Sequence, residues 1–242
     1  MVEPSLALFV AALVVTLGAL VQGSVGFGVA MIAAPYMMWV LPETVPATLI
    51  ILGGLMAVTT LVREWRHVDV RDLVIAILGR LPGIAVGTWL LVIATQRVLG
   101  ILVGAIVTVA ALLQWRSIRL ENTTANVVVA GFLSGTSATV SGVGGPPLAM
   151  VLSGLPGPRV RATLASFFCV GAALSLASLA LAGRVTATQL AHAAALLPAM
   201  LLGALLARPL ARYVDSGRTR HAILLLAGAS GLVLLVTSLA GL

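Results

Sequence analysis

Apolar residues run in long, unbroken stretches along almost the whole chain, and short polar clusters separate them. Most stretches reach the roughly 20 residues that a helix needs to cross the hydrocarbon core of a bilayer. They do not alternate apolar and polar positions as the strands of a transmembrane β-barrel do. The pattern therefore predicts an all-α, polytopic helical membrane protein with apolar segments at about 5–22, 27–41, 45–62, 72–94, 98–114, 125–140, 146–156, 160–182, 188–207 and 221–241.

Two of these segments are too short to span, and each follows a glycine-rich break. GSVGFG at 23–28 precedes the first, and SGVGG at 141–145 precedes the second. Non-helical backbone at membrane depth is tolerated only where it is buried in protein or lines a wet cavity. Each restarting helix, near Val29 and near Pro146, also turns the positive end of its dipole inward, which favours an anion. The breaks are therefore candidate anion sites, like the broken helices of many secondary transporters.

The second half of the chain repeats the pattern of the first. A shift of 116 residues places LPGIAVG at 81–87 over LPAMLLG at 197–203. We interpret residues 1–120 and 121–242 as two transmembrane repeats of about five segments each within one membrane domain. The same shift aligns Gly26 with Gly142, Gly28 with Gly144, Pro42 with Pro158, Pro82 with Pro198 and Gly87 with Gly203.

The distribution of arginines predicts how the repeats are oriented. If each break is a hairpin that returns the chain to the side it came from, eleven arginines share one side against two on the other. If each motif is one net crossing, the same arginines divide six against seven. The positive-inside rule favours the hairpins, and hence inverted repeats with both termini outside the cytoplasm. The arginine-rich side then holds the loops at 63–71, 115–124, 157–161 and 208–220.

Composition and charge narrow the function classes. The chain is 60% hydrophobic and 9% charged, with a net charge of +7. Apart from Arg80, the arginines lie at helix ends, where membrane topology accounts for them, so we expect no nucleic-acid partner. The N-terminal segment lacks a basic leader region and is predicted to be a retained helix. Carboxylates are almost absent from the predicted spans, and no catalytic or metal-binding motif is found, so we expect neither an enzyme nor a cofactor.

The candidate substrate-binding residues are small and polar residues of the two breaks, together with one arginine. Arg80 is the charged residue that lies well inside a predicted span, which marks function or a buried partner. Alternatively, Arg80 snorkels to the cytoplasmic face, the glycines serve close helix packing, and the hydroxyls bond back to their own backbone. The predicted set is Gln22, Gly23, Ser24, Gly26, Gly28, Arg80, Thr136, Ser137, Ser141, Gly142, Gly144 and Gly145.

The residues around the breaks also resemble a known family. GALVQGSVGFGVAMIAAP and GFLSGTSATVSGVGGPPLAMVL, each followed by ATL and LPxxxxG elements, resemble the sulfite exporter TauE/SafE family, also called the toluene sulfonate uptake permease family. The resemblance implies a multi-pass permease of the bacterial inner membrane for sulfite, sulfoacetate or another small organic anion. GFG and GGPP replace the richer GGG runs of many members, which leaves the substrate open. The motif residues carry over as Gly23, Gly26, Gly28, Pro35, Gly131, Gly135, Gly142, Gly144, Gly145 and Pro147.

Together with the two glycine-rich breaks, this resemblance implies transport by alternating access. One repeat rocks against the other around an anion held by the two helix ends. An anion channel or passive pore is the alternative, because it would use the same segments without two closed states. The lipid bilayer and the anion are the expected partners. Such a carrier can also use a coupling ion, H⁺ or Na⁺, and can form a homodimer.

Overall fold

In the computed structural model, residues 4–214 and 217–241 are described, and within these ranges the chain is helical without strands. The predicted all-α class is thus confirmed, and the segments predicted from the apolar pattern correspond in order to the observed helices. These are α1 Pro4–Val25, α2 Val29–Val40, α3 Ala47–Glu64, α4 Val70–Ile93, α5 Gln96–Trp115, α6 Thr124–Ser141, α7 Gly145–Leu152, α8 Gly157–Leu181, α9 Ala187–Val214 and α10 Gly217–Ala240.

Seven of the described helices contain a stretch long and apolar enough to cross a membrane. They are α1, α3, α4, α5, α8, α9 and α10, whereas α2 and α7 have only 12 and 8 residues. The four tryptophans, Trp39, Trp65, Trp89 and Trp115, are all exposed near helix ends, where a membrane–water interface favours them. The chain is a multi-pass membrane protein.

The two short helices each turn back along the helix that precedes them. In the first half, the Tyr36 hydroxyl on α2 donates to the Ala7 carbonyl on α1 at 3.0 Å. In the second half, the Leu120 N–H, just before α6, donates to the Met150 carbonyl on α7 at 3.2 Å. Each glycine-rich break is therefore a hairpin, the arrangement that the arginine distribution favoured.

Two glycines with positive φ produce the reversals. Gly26 follows α1 with φ of 99°, and Gly142 ends α6 with φ of 77°. Residues with a Cβ rarely adopt this left-handed region. The Gly142 N–H closes the last turn of α6 on the Ala138 carbonyl, as a left-handed helix cap does.

Three of the arginine-rich loops meet at one end of the helix bundle. Arg161 forms an ion pair with Glu64 at 2.8 Å, which joins the start of α8 to the end of α3. The Asn122 amide donates to the Asp72 carboxylate at 2.6 Å, so the loop before α6 reaches the first turn of α4. The fourth loop, 208–220, contains residues 215–216, and the termini include 1–3 and 242, which lie outside the described residues.

The principal helix pairs join the two halves of the chain. They are α1 with α9, α4 with α6, α3 with α8, and α5 with α10. If α1–α5 are exchanged with α6–α10, this set of four pairs maps onto itself. Small residues allow the backbones to approach closely: a Cβ on Gly79 or Gly83 of α4 would collide with backbone atoms of α6, and one on Gly131 of α6 with those of α4.

Candidate anion-binding site

A cavity of about 40 Å³ lies between the two glycine-rich breaks. A cavity needs roughly 10–15 Å³ to hold one water, so this one is large enough for a small ligand. Residues from the two breaks and from α3, α4 and α8 form its wall. They are Gln22, Phe27, Gly28, Ala30, Met31, Leu49, Ile50, Gly53, Gly54, Arg80, Ala138, Gly142, Val143, Gly144, Gly145, Phe168 and Ala172.

The two breaks pack directly against each other at this cavity. A Cβ on Gly145, the first residue of α7, would lie 2.5 Å from the Cβ of Phe27 in the first break. A Cβ on Gly142 would lie 3.1 Å from that of Ala30 in the first turn of α2. Glycine is thus required for the starts of α2 and α7 to share one wall.

Gln22 caps the start of α2. Its Oε1 accepts a hydrogen bond from the Val29 N–H at 3.1 Å, and its Nε2 donates to the Gly53 carbonyl of α3 at 3.0 Å. The next two N–H groups, of Ala30 and Met31, belong to the first turn and have no acceptor within their own helix. Both residues line the cavity, so α2 contributes backbone donors there.

The start of α7 contributes fewer donors than the start of α2. Pro146 and Pro147 occupy its second and third positions, and proline has no N–H. Gly144 and Gly145 can still present an N–H group in this region of the cavity wall. The two breaks, although they align in the sequence, are therefore chemically unequal.

Arg80 of α4 is the buried charged group of the cavity wall. Only 2% of the residue is exposed, so it does not snorkel to the surface. The guanidinium carbon lies 4.5 Å above the ring centre of Phe167, and Gly171 of α8 leaves it room, since a Cβ there would collide with it. Among the described residues, Nε and Nη1 of Arg80 have no hydrogen-bond partner. An aromatic face stabilises the cation, but two directed N–H donors remain for an anion.

The described carboxylates lie away from this cation. Glu43 and Glu121 are in connecting segments, Glu64 pairs with Arg161, and Asp69 caps α4 by accepting from the Asp72 N–H. No carboxylate from the described part of the chain lines the cavity. The cavity therefore carries a net positive charge that attracts anions and repels cations.

The structure places some of the twelve predicted substrate-binding residues at the cavity and the others away from it. Six line the cavity: Gln22, Gly28, Arg80, Gly142, Gly144 and Gly145. The other six do not form part of its wall: Gly23, Ser24, Gly26, Thr136, Ser137 and Ser141. Gly23 faces Ala207 and Met56, and Gly26 faces Leu164 and Arg161.

The four hydroxyl residues of the second group hydrogen-bond to backbone atoms. Ser24 donates to Leu20, Ser137 to Ser134, and Ser141 to Ser137. The Thr136 hydroxyl contacts the Gly83 and Phe132 carbonyls, each at 3.1 Å, across the α4–α6 contact. Hydroxyls in membrane helices commonly bond in this way, so each of these hydroxyl protons is engaged by the backbone in this structure.

The sequence analysis missed the contribution of α3 and α8. Gly53 and Gly54 of α3 and Phe168 and Ala172 of α8 also line the cavity, and a Cβ on Gly54 would lie 2.7 Å from that of Ala172. Phe167 and Gly171 shape the pocket of the guanidinium. The available signal was two mid-span groups of small residues, GG at 53–54 and GAA at 171–173, but the chain has 25 glycines, so this signal was weak.

One comparison with known proteins is informative. A family model described as sulfite exporter TauE/SafE matches residues 10–234 of the 242-residue chain. The match includes both breaks and every residue that lines the cavity. No curated protein and no solved structure matches the chain.

Proposed function

The chain belongs to the sulfite exporter TauE/SafE family, and we propose that it is a secondary transporter of sulfite or another small organosulfonate or organic acid across the bacterial inner membrane. The observation that carries this proposal is the guanidinium of Arg80, which is buried beside the starts of α2 and α7 and finds no acceptor for Nε and Nη1 among the described residues. Sulfonate and carboxylate oxygens accept charge-assisted hydrogen bonds from guanidinium N–H groups. The N–H groups of α2 add donors to the same anion.

Alternating access around this cavity requires that it can close at either end. At the arginine-rich end, the Glu64–Arg161 ion pair joins α3 to α8. At the opposite end of the same two helices, Ile50 and Leu179 pack with Leu91 of α4 in an apolar cluster. Two separate closures favour a carrier over an anion channel or passive pore, because a carrier needs one at each end.

The two halves of the chain, 1–120 and 121–242, are proposed to be inverted repeats that rock against each other. The exchange of α1–α5 with α6–α10, which preserves the principal helix pairs, supports the repeat. The hairpins at both breaks support the inversion, because an odd number of crossings per half reverses its orientation. Since α3 and α8 are each other's counterparts, a movement between them opens one end while it closes the other.

Counterflow in proteoliposomes tests the proposed function. Vesicles loaded with unlabelled sulfite are diluted into medium containing a trace of radiolabelled sulfite. A carrier accumulates label transiently above its equilibrium level, because outward movement of unlabelled anion returns binding sites to the outside. A pore gives no such overshoot, and neither should vesicles with the Arg80→Gln variant. Simple equilibration of the label by the wild-type protein would contradict the carrier.

A further inference from the structure

We propose that the protein is an obligatory anion exchanger: the buried charge of Arg80 prevents the unloaded site from crossing between its two orientations, so each anion that leaves is replaced by another. The inference rests on the proposed transport function and adds the coupling mechanism. The exchanged partner is a small inorganic anion, of which chloride is the simplest.

The charge of Arg80 has no compensating partner in the described protein. Arg80 is 2% exposed, and within residues 4–214 and 217–241 neither Nε nor Nη1 meets an acceptor. The five described carboxylates lie in connecting segments or at helix ends. The two other acidic residues, Glu3 and Asp215, fall near the N-terminus and between α9 and α10 in the sequence.

The groups that do surround the guanidinium are neutral or add positive potential. Phe167 presents its ring face, and Gly171 presents backbone only. The starts of α2 and α7 bring the positive ends of two helix dipoles to the same cavity. An arginine in a protein keeps its proton, so the site cannot become neutral by deprotonation.

Only a bound anion can therefore neutralise the site. Chloride, or sulfite in its singly charged hydrogen sulfite form, makes the loaded cavity neutral, whereas the unloaded cavity keeps one full positive charge. Alternating access passes through a state closed at both ends, in which water cannot compensate that charge. The loaded form should cross this state much faster than the unloaded form, which is the kinetic definition of an exchanger.

The cavity is poorly suited to H⁺ and Na⁺, the coupling ions that the sequence analysis allowed. Na⁺ requires a cage of oxygen ligands, and a proton requires a titratable acceptor. Among the described lining residues there is neither a carboxylate nor a histidine. A positive site also repels both ions, so an anion fits the coupling role better than H⁺ or Na⁺.

Efflux from proteoliposomes tests the exchange. Vesicles loaded with radiolabelled sulfite are diluted into media of equal ionic strength that contain chloride, unlabelled sulfite or gluconate, with potassium and valinomycin holding the membrane potential at zero. Gluconate is too large for a cavity of about 40 Å³. We expect efflux into sulfite or chloride to be at least tenfold faster than into gluconate.

The outcomes distinguish the two proposals. Equal efflux into all three media would overturn the exchange while leaving transport intact. Acceleration by sulfite but not by chloride would keep the exchange and exclude chloride as the partner. No protein-dependent efflux into any medium would refute the transport function itself.

An arginine variant provides a second test. In Arg80→Gln, any residual efflux should no longer depend on the external anion, because the unloaded site is neutral. The matched control is Arg97→Gln, since Arg97 lies outside the cavity and donates to the Ser238 carbonyl at the end of α10. Exchange that persists unchanged in Arg80→Gln would refute the role of the buried charge.

Discussion

Replacing Arg80 by Met should weaken anion binding and at the same time stabilise the ligand-free protein. The two unpartnered donors, Nε and Nη1, point to hydrogen bonds with an anion. A hydrogen bond to a charged group is worth about 1.5–3 kcal/mol, and loss of the guanidinium also removes its charge attraction for the anion. We therefore expect a loss of about 2–4 kcal/mol, which raises the Kd for sulfite by roughly 30- to 1,000-fold.

The effect on folding has the opposite sign. An unpaired buried ion costs several kcal/mol, and contact with an aromatic face returns about 2 kcal/mol of this. Met has a similar length, lacks the charge and can pack on the ring of Phe167. The Tm of the ligand-free Arg80→Met protein should therefore be equal to or higher than that of the wild type.

Thermal unfolding of the detergent-solubilised protein measures both effects, with sulfite added at constant ionic strength. Sulfite should raise the Tm of the wild type, because a ligand that binds only the folded state stabilises it. It should leave the Tm of Arg80→Met unchanged. Leu196→Met is the matched control, since Leu196 is fully buried and lies 116 residues after Arg80. The reasoning is refuted if Arg80→Met lowers the ligand-free Tm and retains the shift caused by sulfite.

Three further predictions follow from the described contacts. In Gly171→Ala the new methyl group would collide with the guanidinium of Arg80, so the Kd for sulfite should rise about tenfold or more, measured by titration of the purified protein. Gln22→Ala removes the cap of α2 and should lower the free energy of unfolding by about 1–2 kcal/mol, measured by thermal or chemical unfolding. Single cysteines at Arg66 and Ala240 should react with an impermeant maleimide from opposite sides of the membrane.

Controls make each of these results interpretable. Gly154→Ala is the control for Gly171→Ala, because a Cβ at Gly154 would meet nothing within 4 Å. The Gly154→Ala protein should bind sulfite normally. Gln22→Glu keeps the acceptor for the Val29 N–H, but an ionised carboxylate would set an oxygen against the Gly53 carbonyl, so this variant should be more stable than Gln22→Ala only at low pH, where the carboxyl is protonated. The labelling requires a Cys169→Ala background, since Cys169 is the native cysteine. Same-side labelling would contradict the inverted repeats.

The hairpins could be predicted because their cause is local. Glycine can adopt the positive φ that ends a helix, as Gly26 and Gly142 do, and a second apolar segment of only 12 or 8 residues cannot span the membrane alone. The placement of Arg80 within an apolar span was also readable, but the sequence left open whether its side chain is buried or reaches the surface. The residues that contact Arg80 were not readable, because Phe167 and Gly171 lie about 90 residues away in the sequence and meet it only through the contact of α4 with α8.

The hydroxyl residues beside the second break show what a sequence cannot predict without knowledge of tertiary contacts. Thr136, Ser137 and Ser141 follow a polar stripe beside the second break, but their hydroxyls bond to carbonyls. A sequence cannot distinguish that use from contact with a ligand, because both require the same residue types. The unequal donors of the two breaks, by contrast, follow from Pro146 and Pro147 alone and required no structure.

The central claim is that an anion binds at Arg80 between the starts of α2 and α7. Anomalous diffraction from crystals grown with selenite, a chemical analogue of sulfite with a strong anomalous scatterer, tests it most directly. The account predicts a selenium peak within the cavity, with oxygens at hydrogen-bond distance from Nε or Nη1 of Arg80, and no such peak in Arg80→Met crystals. A single peak elsewhere in the wild-type protein, with the guanidinium still unpartnered, would contradict it.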